Sequence, residues 1–120
     1  SNILTAVPAS IGSLTALTTL FLDGNRIATL PTTIGGMTAL TNLSLGGNQF
    51  AGLPDAIGLL TGLKSLNLFN NQLTALPESI VALTNLTWLN LGSNPQFIRS
   101  AQSVAVQAWL QSHECDDDAW

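Results

Sequence analysis

Cysteine and charge are scarce in this chain. Cys115 is the single cysteine, so an internal disulfide framework is excluded. Charged residues make up 8% of the sequence, against roughly a quarter in an average globular protein. The few lysines and arginines are scattered, whereas a phosphate backbone or an anionic membrane surface requires a basic cluster. We therefore predict no nucleic-acid partner and no membrane partner.

Long apolar runs and catalytic constellations are missing as well. No run approaches the roughly 18 to 20 apolar residues of a membrane span. His113 is the only histidine, and it lies beside Cys115 in an acidic C-terminal segment with no evident scaffold for a nucleophile pair. One histidine and one cysteine also lack the spaced pairs of a structural zinc site. The sequence therefore predicts no catalytic residue, no metal site and no cofactor, and we do not expect an enzyme.

What the chain does have is a pattern that returns every 23 residues. A period of this length is typical of a stacked solenoid, in which each unit is too small to bury its own apolar side chains. Several columns keep the period, namely Asn2, Asn25, Asn48, Asn71 and Asn94; Pro8, Pro31, Pro54 and Pro77; Ile11, Ile34, Ile57 and Ile80; and Leu20, Leu43, Leu66 and Leu89.

Each unit divides into a strand and a return path. Around Leu20 the apolar residues alternate with polar ones, which predicts a short strand with Leu20 and Leu22 directed inward. The return path after Pro31 has apolar spacings of three, which indicate a helical or 3₁₀ turn that a proline can begin. Because the turn is bulkier than the strand, the stack must curve with its strands on the concave side.

The asparagine column has a predicted structural role. The chain turns sharply inward after each strand and removes main-chain groups from water. An asparagine amide offers two donor hydrogens and an acceptor, so it can bond to the loop backbone in its own unit and in the next one. We therefore predict that Asn25, Asn48, Asn71 and Asn94 form a structural ladder.

The unit L-x-x-L-P-x-x-I-G-x-L-T-x-L-x-x-L-x-L-x-x-N-x-L resembles the leucine-rich repeat family, over about residues 2–97. The repeat length and the L-P-x-x-I-G half are similar to intracellular repeats related to the Ras-binding group and to bacterial and protist repeats. The resemblance implies an α/β fold. This is a right-handed curved leucine-rich-repeat solenoid with a parallel β-sheet on the concave face, short helical or 3₁₀ turns on the convex face and a C-terminal capping helix. In the last unit, Val81 departs from the pattern by replacing the glycine found at Gly12, Gly35 and Gly58.

The sequence predicts a covering helix at the C-terminal end of the repeat stack and none at the N-terminal end. Residues 1–97 are predicted to hold about four repeats, the first truncated, followed by a capping helix over 98–113 and an acidic tail over 114–120. Within 99–112 we expect one helix whose covering face carries Ala101, Val104, Ala105, Ala108 and Trp109. No such cover precedes the first unit, where Ile3, Leu4, Val7 and Ile11 would face water. We favour a fragment of a longer array there over self-association with another chain through this end.

The concave face is the candidate binding surface. Phe21, Phe69 and Trp88 are predicted to point outward, where aromatic rings serve as anchors for a protein or peptide ligand. The alternative is that these rings only shield neighbouring strands. The candidate protein-binding residues are Thr19, Phe21, Asp23, Asn42, Ser44, Lys64, Ser65, Asn67, Phe69, Trp88 and Asn90.

Three other functions stay open. The family resemblance also implies the recognition segment of a larger enzyme, such as a kinase or ubiquitin ligase. A purely architectural spacer is the second alternative. An ice-binding surface is the third, suggested by the column Thr15, Thr38, Thr61 and Thr84. A glycan at the Asn42 sequon would obstruct the concave face, which favours a cytoplasmic over a secreted setting.

Overall fold

The computed structural model describes residues 4–112. Four short strands form one parallel sheet, and their order in the sheet is their order in the chain. The strands are β1 (Thr19–Phe21), β2 (Asn42–Ser44), β3 (Ser65–Asn67) and β4 (Trp88–Asn90). The predicted parallel sheet is confirmed.

Residues at the same position of successive units pair with each other. Leu20 lies opposite Leu43, Leu43 opposite Leu66, and Leu66 opposite Leu89. Because the register between units has no offset, every column of the sequence pattern becomes a row of neighbouring side chains in space. The apolar columns line the core, and the polar columns line the surface, except for the asparagine column at Asn25, Asn48, Asn71 and Asn94, which is buried.

Short 3₁₀ turns form the side of each unit opposite the sheet. Each of the first four begins directly after a proline with extended backbone, such as Pro31 with φ −69° and ψ 151°. The proline thus precedes the turn, whereas the sequence pattern predicts it at the start of the turn. The turns are Ala9–Ser13, Thr32–Gly36, Asp55–Leu59 and Glu78–Ala82, and a shorter one covers Arg99–Ala101.

One apolar core runs through the stack between the sheet and the turns. Leu43 and Leu66 reach it from the strands, Ile34 and Ile57 reach it from the turns, and Phe50 fills the loop side. Each fully buried side chain of this size contributes about 1.5–3 kcal/mol relative to an exposed one. The units therefore depend on each other for stability, as the repeat pattern predicts.

The first unit is only partly covered. Leu4 is exposed and Ile11 is half-buried, but Val7 is buried against the core. The expectation that all of these side chains face water is therefore wrong for Val7, which packs in the same column as Leu30. Asn2 and Ile3 lie outside the described residues.

The four ladder asparagines, Asn25, Asn48, Asn71 and Asn94, are buried, and their side-chain amides both donate and accept hydrogen bonds. Asn48 Nδ2 donates to the carbonyl oxygens of Leu45 and Leu22, and its Oδ1 accepts the N–H of Ile27. Asn71 and Asn94 make the same set of bonds one and two units later. The bonded neighbour is the preceding unit, whereas the prediction from the sequence was the following unit.

The C-terminal helix is shorter than expected and presents a different face. Helix α1 spans Val104–Ser112 and buries Val106, Trp109 and Leu110. Of the residues predicted to cover the last unit, only Trp109 is buried, and Val104 is 84% exposed. The remaining predicted residues, Ala101, Ala105 and Ala108, are exposed.

A break in the helical phase explains the error. Gln102 is extended, with φ −75° and ψ 164°, so the turn at Arg99–Ala101 and helix α1 are separate elements. The Ser103 hydroxyl then accepts the N–H of Val106 at 3.2 Å, which is the bond of an N-cap residue. A prediction that counts one continuous helix from residue 99 therefore assigns the wrong residues to the buried face.

Candidate binding face

The outward face of the sheet carries three columns of side chains. Neighbouring parallel strands lie about 4.8 Å apart, so four strands make a narrow strip roughly 14 Å across. Along each strand the outward positions are two residues apart. The columns are Thr19, Asn42, Ser65 and Trp88; Phe21, Ser44, Asn67 and Asn90; and Asp23, Gly46, Phe69 and Gly92.

Three large aromatic side chains of this strip are exposed. Phe21 is 68% exposed, Phe69 is 43% exposed and Trp88 is 41% exposed. They lie in different columns and in different units, so they do not stack into one patch. Each ring instead rises separately among small or polar neighbours, and a ligand crossing the strip would meet them one after another.

A chain of hydrogen bonds runs across three units of the same face. Asn67 Nδ2 donates to Ser44 Oγ at 3.1 Å, and Ser44 Oγ donates to Asp23 Oδ2 at 2.7 Å. Asn67 Oδ1 accepts the N–H of Phe69 at 3.0 Å. The relay holds three of the predicted binding residues in fixed positions, because each is tied to a group that is itself bonded.

The other predicted residues are placed less uniformly. Asn90 Oδ1 accepts the N–H of Gly92 at 2.8 Å, so the oxygen of this side chain is bonded to its own loop. Among residues 4–112, the half-buried amide of Asn42 has no side-chain hydrogen bond. Thr19 is exposed and Ser65 is half-buried. Gly46 and Gly92, which belong to the outward columns, are buried, since they have no side chain to reach the surface.

Two charged side chains lie at opposite margins of the strip. Asp23 follows β1, and the exposed Lys64 precedes β3. In a parallel sheet the two ends of the strands form separate edges, so the negative and positive charges are on different edges. Main-chain carbonyls at the Lys64 edge accept bonds from threonines, with Thr87 Oγ1 donating to the Lys64 oxygen at 3.1 Å.

Within the described part of the chain, few side chains could take part in chemistry other than ligand binding. No group of three histidine, cysteine, aspartate or glutamate side chains within residues 4–112 could hold a metal ion. Over the same residues, no helix has the length and apolar character to cross a bilayer. His113, Cys115 and the predicted acidic tail lie outside the described residues. Thr15, Thr38, Thr61 and Thr84 are all exposed on the turn side.

Two structural features were not predicted from the sequence. The first is a left-handed backbone position just before each ladder asparagine, at Gly24, Gly47, Asn70 and Ser93, with φ between 54° and 73°. Two glycines in this column were a usable signal. The second is Gln102, whose buried amide accepts the N–H of Leu76 at 3.1 Å and donates to Thr74. Gln102 occurs once and has no periodic counterpart, so no pattern could reveal it.

Comparison with known proteins agrees with this architecture. Residues 39–95 match one family model described as leucine rich repeat, and residues 16–37 match a second. The chain belongs to the leucine-rich repeat family. The Ras-group-related subtype stays a prediction. No curated protein matches the chain.

Solved leucine-rich-repeat structures superpose well on this chain. A leucine-rich repeat protein of Leptospira interrogans is 39% identical over 96% of this chain, with a TM-score of 0.84. The plant peptide hormone receptor RGFR1 in complex with RGF2 is 39% identical over 75% of this chain, with a TM-score of 0.68. The ectodomain of the Arabidopsis thaliana receptor kinase GASSHO1/SCHENGEN3, in complex with Casparian strip integrity factor 2, is 41% identical over 73%, with a TM-score of 0.67. This chain spans 29%, 15% and 11% of those chains, respectively.

Proposed function

We propose that this leucine-rich-repeat chain is a non-catalytic interaction module that binds a protein or peptide ligand through its concave face. The observation that carries the proposal is the exposure of Phe21, Phe69 and Trp88 on the sheet. The repeat does not need these rings, because the same positions hold Ser44, Gly46 or Ser65 in other units. Aromatic side chains that the fold does not require are typical anchors of interfaces.

The polar part of the face supplies orientation in this proposal. Asn67 and Asp23 are held by the relay through Ser44, while Asn42 offers an amide without an intramolecular partner among residues 4–112. Asn90 and Lys64 are the other polar residues that orient the ligand in this proposal. Side chains already ordered before binding lose little conformational entropy when a ligand arrives, so more of the contact energy is retained as affinity.

The solved complexes of two similar proteins support a peptide or protein as the ligand class. RGFR1 was solved with RGF2, and GASSHO1/SCHENGEN3 with Casparian strip integrity factor 2. Both match this chain at 39% identity or more, over roughly three quarters of its length. The ligand of this chain is a separate question, because binding residues on a repeat scaffold vary independently of the scaffold.

The proposal is tested by selection from a displayed library of random peptides. We expect wild-type protein to enrich a family of related sequences, and the triple variant Phe21→Ala, Phe69→Ala, Trp88→Ala to lose their binding. The loss of one aromatic anchor commonly costs more than about 2 kcal/mol, which is roughly thirtyfold in affinity.

A matched control uses exposed apolar residues outside the concave face. The triple variant Leu59→Ala, Ile98→Ala, Val104→Ala removes a comparable exposed area from the turns and the cap. It should bind the selected peptides as wild type does. Equal binding by the aromatic triple variant, with an unchanged melting curve, would refute the concave face as the binding surface.

A second candidate is the recognition segment of a larger enzyme. It is favoured by the GASSHO1/SCHENGEN3 match, because that structure is the ectodomain of a receptor kinase. The full coding sequence distinguishes an interaction module from the recognition segment of an enzyme. An adjoining catalytic domain would mean that the binding face is part of an enzyme.

A further inference from the structure

One outward column of the sheet carries polar groups that are not bonded within residues 4–112. We call it the Asn42 column, and the register of the four strands aligns its members, which are Thr19, Asn42, Ser65 and Trp88. None of these side chains makes a hydrogen bond to another residue of 4–112. A ligand that covers the column excludes water from these groups, so it must itself supply bonds to them.

The neighbouring outward column differs because its polar groups are already bonded. Ser44 Oγ donates to Asp23 Oδ2 and accepts a bond from Asn67 Nδ2. The side-chain oxygens of Asn67 and Asn90 each accept a main-chain N–H of their own unit. These side chains can offer a ligand only their remaining donors and acceptors, whereas every polar group of the Asn42 column is available.

Asn42 is the residue of this column best suited to a directional contact. Its backbone is fixed, because β2 is paired with a strand on both sides. Its side chain is half-buried, whereas Thr19 and Trp88 are exposed. Hydrogen bonds are stronger where water is partly excluded, so a ligand bond to this amide contributes more than a bond to a fully exposed one.

The repeat does not specify the residues of the Asn42 column. Four different side chains occupy it, whereas the adjacent inward position of the strands is leucine in all four units, at Leu20, Leu43, Leu66 and Leu89. The stack therefore forms with any of several residues in the column. The amide at Asn42 is a feature of this chain that the fold itself does not require.

An asparagine amide matches the main chain of an extended peptide. In an extended chain the N–H and C=O of one residue point to the same side, as they do where two residues of an antiparallel sheet exchange both bonds. The Asn42 amide has a donor and an acceptor side by side, so its Nδ2 can donate to that C=O while its Oδ1 accepts that N–H. The column also has no charged side chain, which suits an uncharged main chain.

We propose that Asn42 binds the N–H and C=O of one residue of an extended peptide ligand that lies along the Asn42 column. The inference rests on the proposed function, which it deepens by naming the ligand group that Asn42 recognises. Trp88 lies two strands from Asn42, or about 10 Å, which is about three residues of an extended chain. The ligand residue that contacts Trp88 is therefore about three positions from the residue bonded to Asn42.

The test uses the tightest-binding peptide from the displayed library and a series of its ester analogues. In each analogue an ester oxygen replaces one main-chain N–H, which removes a single donor and keeps the side chains. We expect one ester to bind wild-type protein about tenfold more weakly than the parent peptide, measured by isothermal titration calorimetry. In Asn42→Ala this ester should bind as tightly as the parent peptide, because the protein no longer has the acceptor.

Two further variants complete the design. Asn42→Asp keeps an oxygen acceptor, so the same ester should still bind more weakly than the parent peptide. Gln72→Ala removes an exposed amide from a loop outside the sheet, and it should leave the parent affinity and the ester effect as in wild type. If Asn42→Ala binds the parent peptide as wild type does, or weakens it without changing the effect of any ester, the proposal is overturned.

Failure of this inference and failure of the proposed function give different results. If library peptides bind and the aromatic triple variant loses them, but no ester effect depends on Asn42, the concave face stands and the Asn42 assignment is wrong. If no peptide is selected, the proposed function is refuted, and the Asn42 assignment is refuted with it.

Discussion

The side-chain Nδ2 of Asn48 donates a 2.9 Å hydrogen bond to the main-chain oxygen of Leu22, one repeat unit earlier. The same amide bonds to its own loop at Leu45, and its oxygen accepts the N–H of Ile27 at 3.1 Å. One buried side chain thus satisfies main-chain groups in two units. The ladder joins neighbouring units as well as closing each turn.

This arrangement predicts that Asn48→Ala is strongly destabilising. The substitution leaves several buried main-chain groups without partners, at about 1–3 kcal/mol for each that water cannot reach. We expect a loss of at least about 2 kcal/mol in urea unfolding, whereas Asn42→Ala, on the concave face, should change stability by less than about 0.5 kcal/mol. Equal unfolding midpoints for the two variants would contradict the ladder.

A second prediction concerns the left-handed residue before each ladder asparagine. Gly47 has φ 68°, and a Cβ atom there would meet nothing closer than 3.5 Å, so only the backbone conformation opposes a side chain. We expect Gly47→Ala to cost about 1 kcal/mol. Gly52→Ala is the control, because a Cβ at Gly52 meets no atom within 4 Å and no positive φ is involved.

The same column offers a stabilising change. Ser93 adopts φ 54° without the freedom of glycine. We expect Ser93→Gly to raise the Tm by a few degrees, since relief of about 1 kcal/mol exceeds the extra entropy of glycine in the unfolded chain. Differential scanning calorimetry measures the shift, and a lower Tm would show that the serine side chain has another role.

A third prediction follows from the packing between successive turns. A Cβ atom on Gly58 would lie 2.5 Å from the main-chain oxygen of Ser79 in the next unit. At the equivalent place in the last unit stands Val81. Its turn packs against the preceding turn on one side, and on the other side it meets α1, where earlier turns meet a following repeat. We expect Gly58→Val to cost more than about 2 kcal/mol, as overpacking against backbone does.

The reciprocal substitution tests the explanation for the departure at Val81. Val81→Gly should cost only about 1 kcal/mol, the loss of a half-buried side chain plus added backbone freedom. If Gly58→Val unfolds with the same midpoint as wild type, close approach between turns is not the reason for the glycine column.

A fourth prediction concerns the cap. Trp109 is a buried residue of α1, and its Nε1 donates to the main-chain oxygen of Leu83 in the last unit at 3.4 Å. We expect Trp109→Ala to cost about 3–5 kcal/mol, because it removes a large side chain from the end of the core. Val104→Ala, at an exposed position of the same helix, should be neutral within about 0.5 kcal/mol. Comparable losses in both variants would mean that another face of α1 covers the stack.

Much of the fold could be predicted because each position of the repeat unit occurs several times in the sequence. Leu43 recurs as Leu20, Leu66 and Leu89, so an apolar inward position is visible four times. The strand, the turn after each proline and the outward direction of Phe69 follow from such alternation. The C-terminal helix lacked this support: its sequence occurs once, and the cap at Ser103 shifted the buried face to Val106 and Leu110.

By itself, the amino-acid sequence determined the unit, its apolar columns and which side chains leave the sheet outward, since these depend on spacings within a few residues. The tertiary structure decided which residues of different repeat units contact each other. It directs the Asn48 amide toward Leu22, and it brings Gly46 between Asp23 and Phe69. Those neighbours are separated by about one repeat length along the chain. Only the stacking of one unit on another brings them within bonding distance.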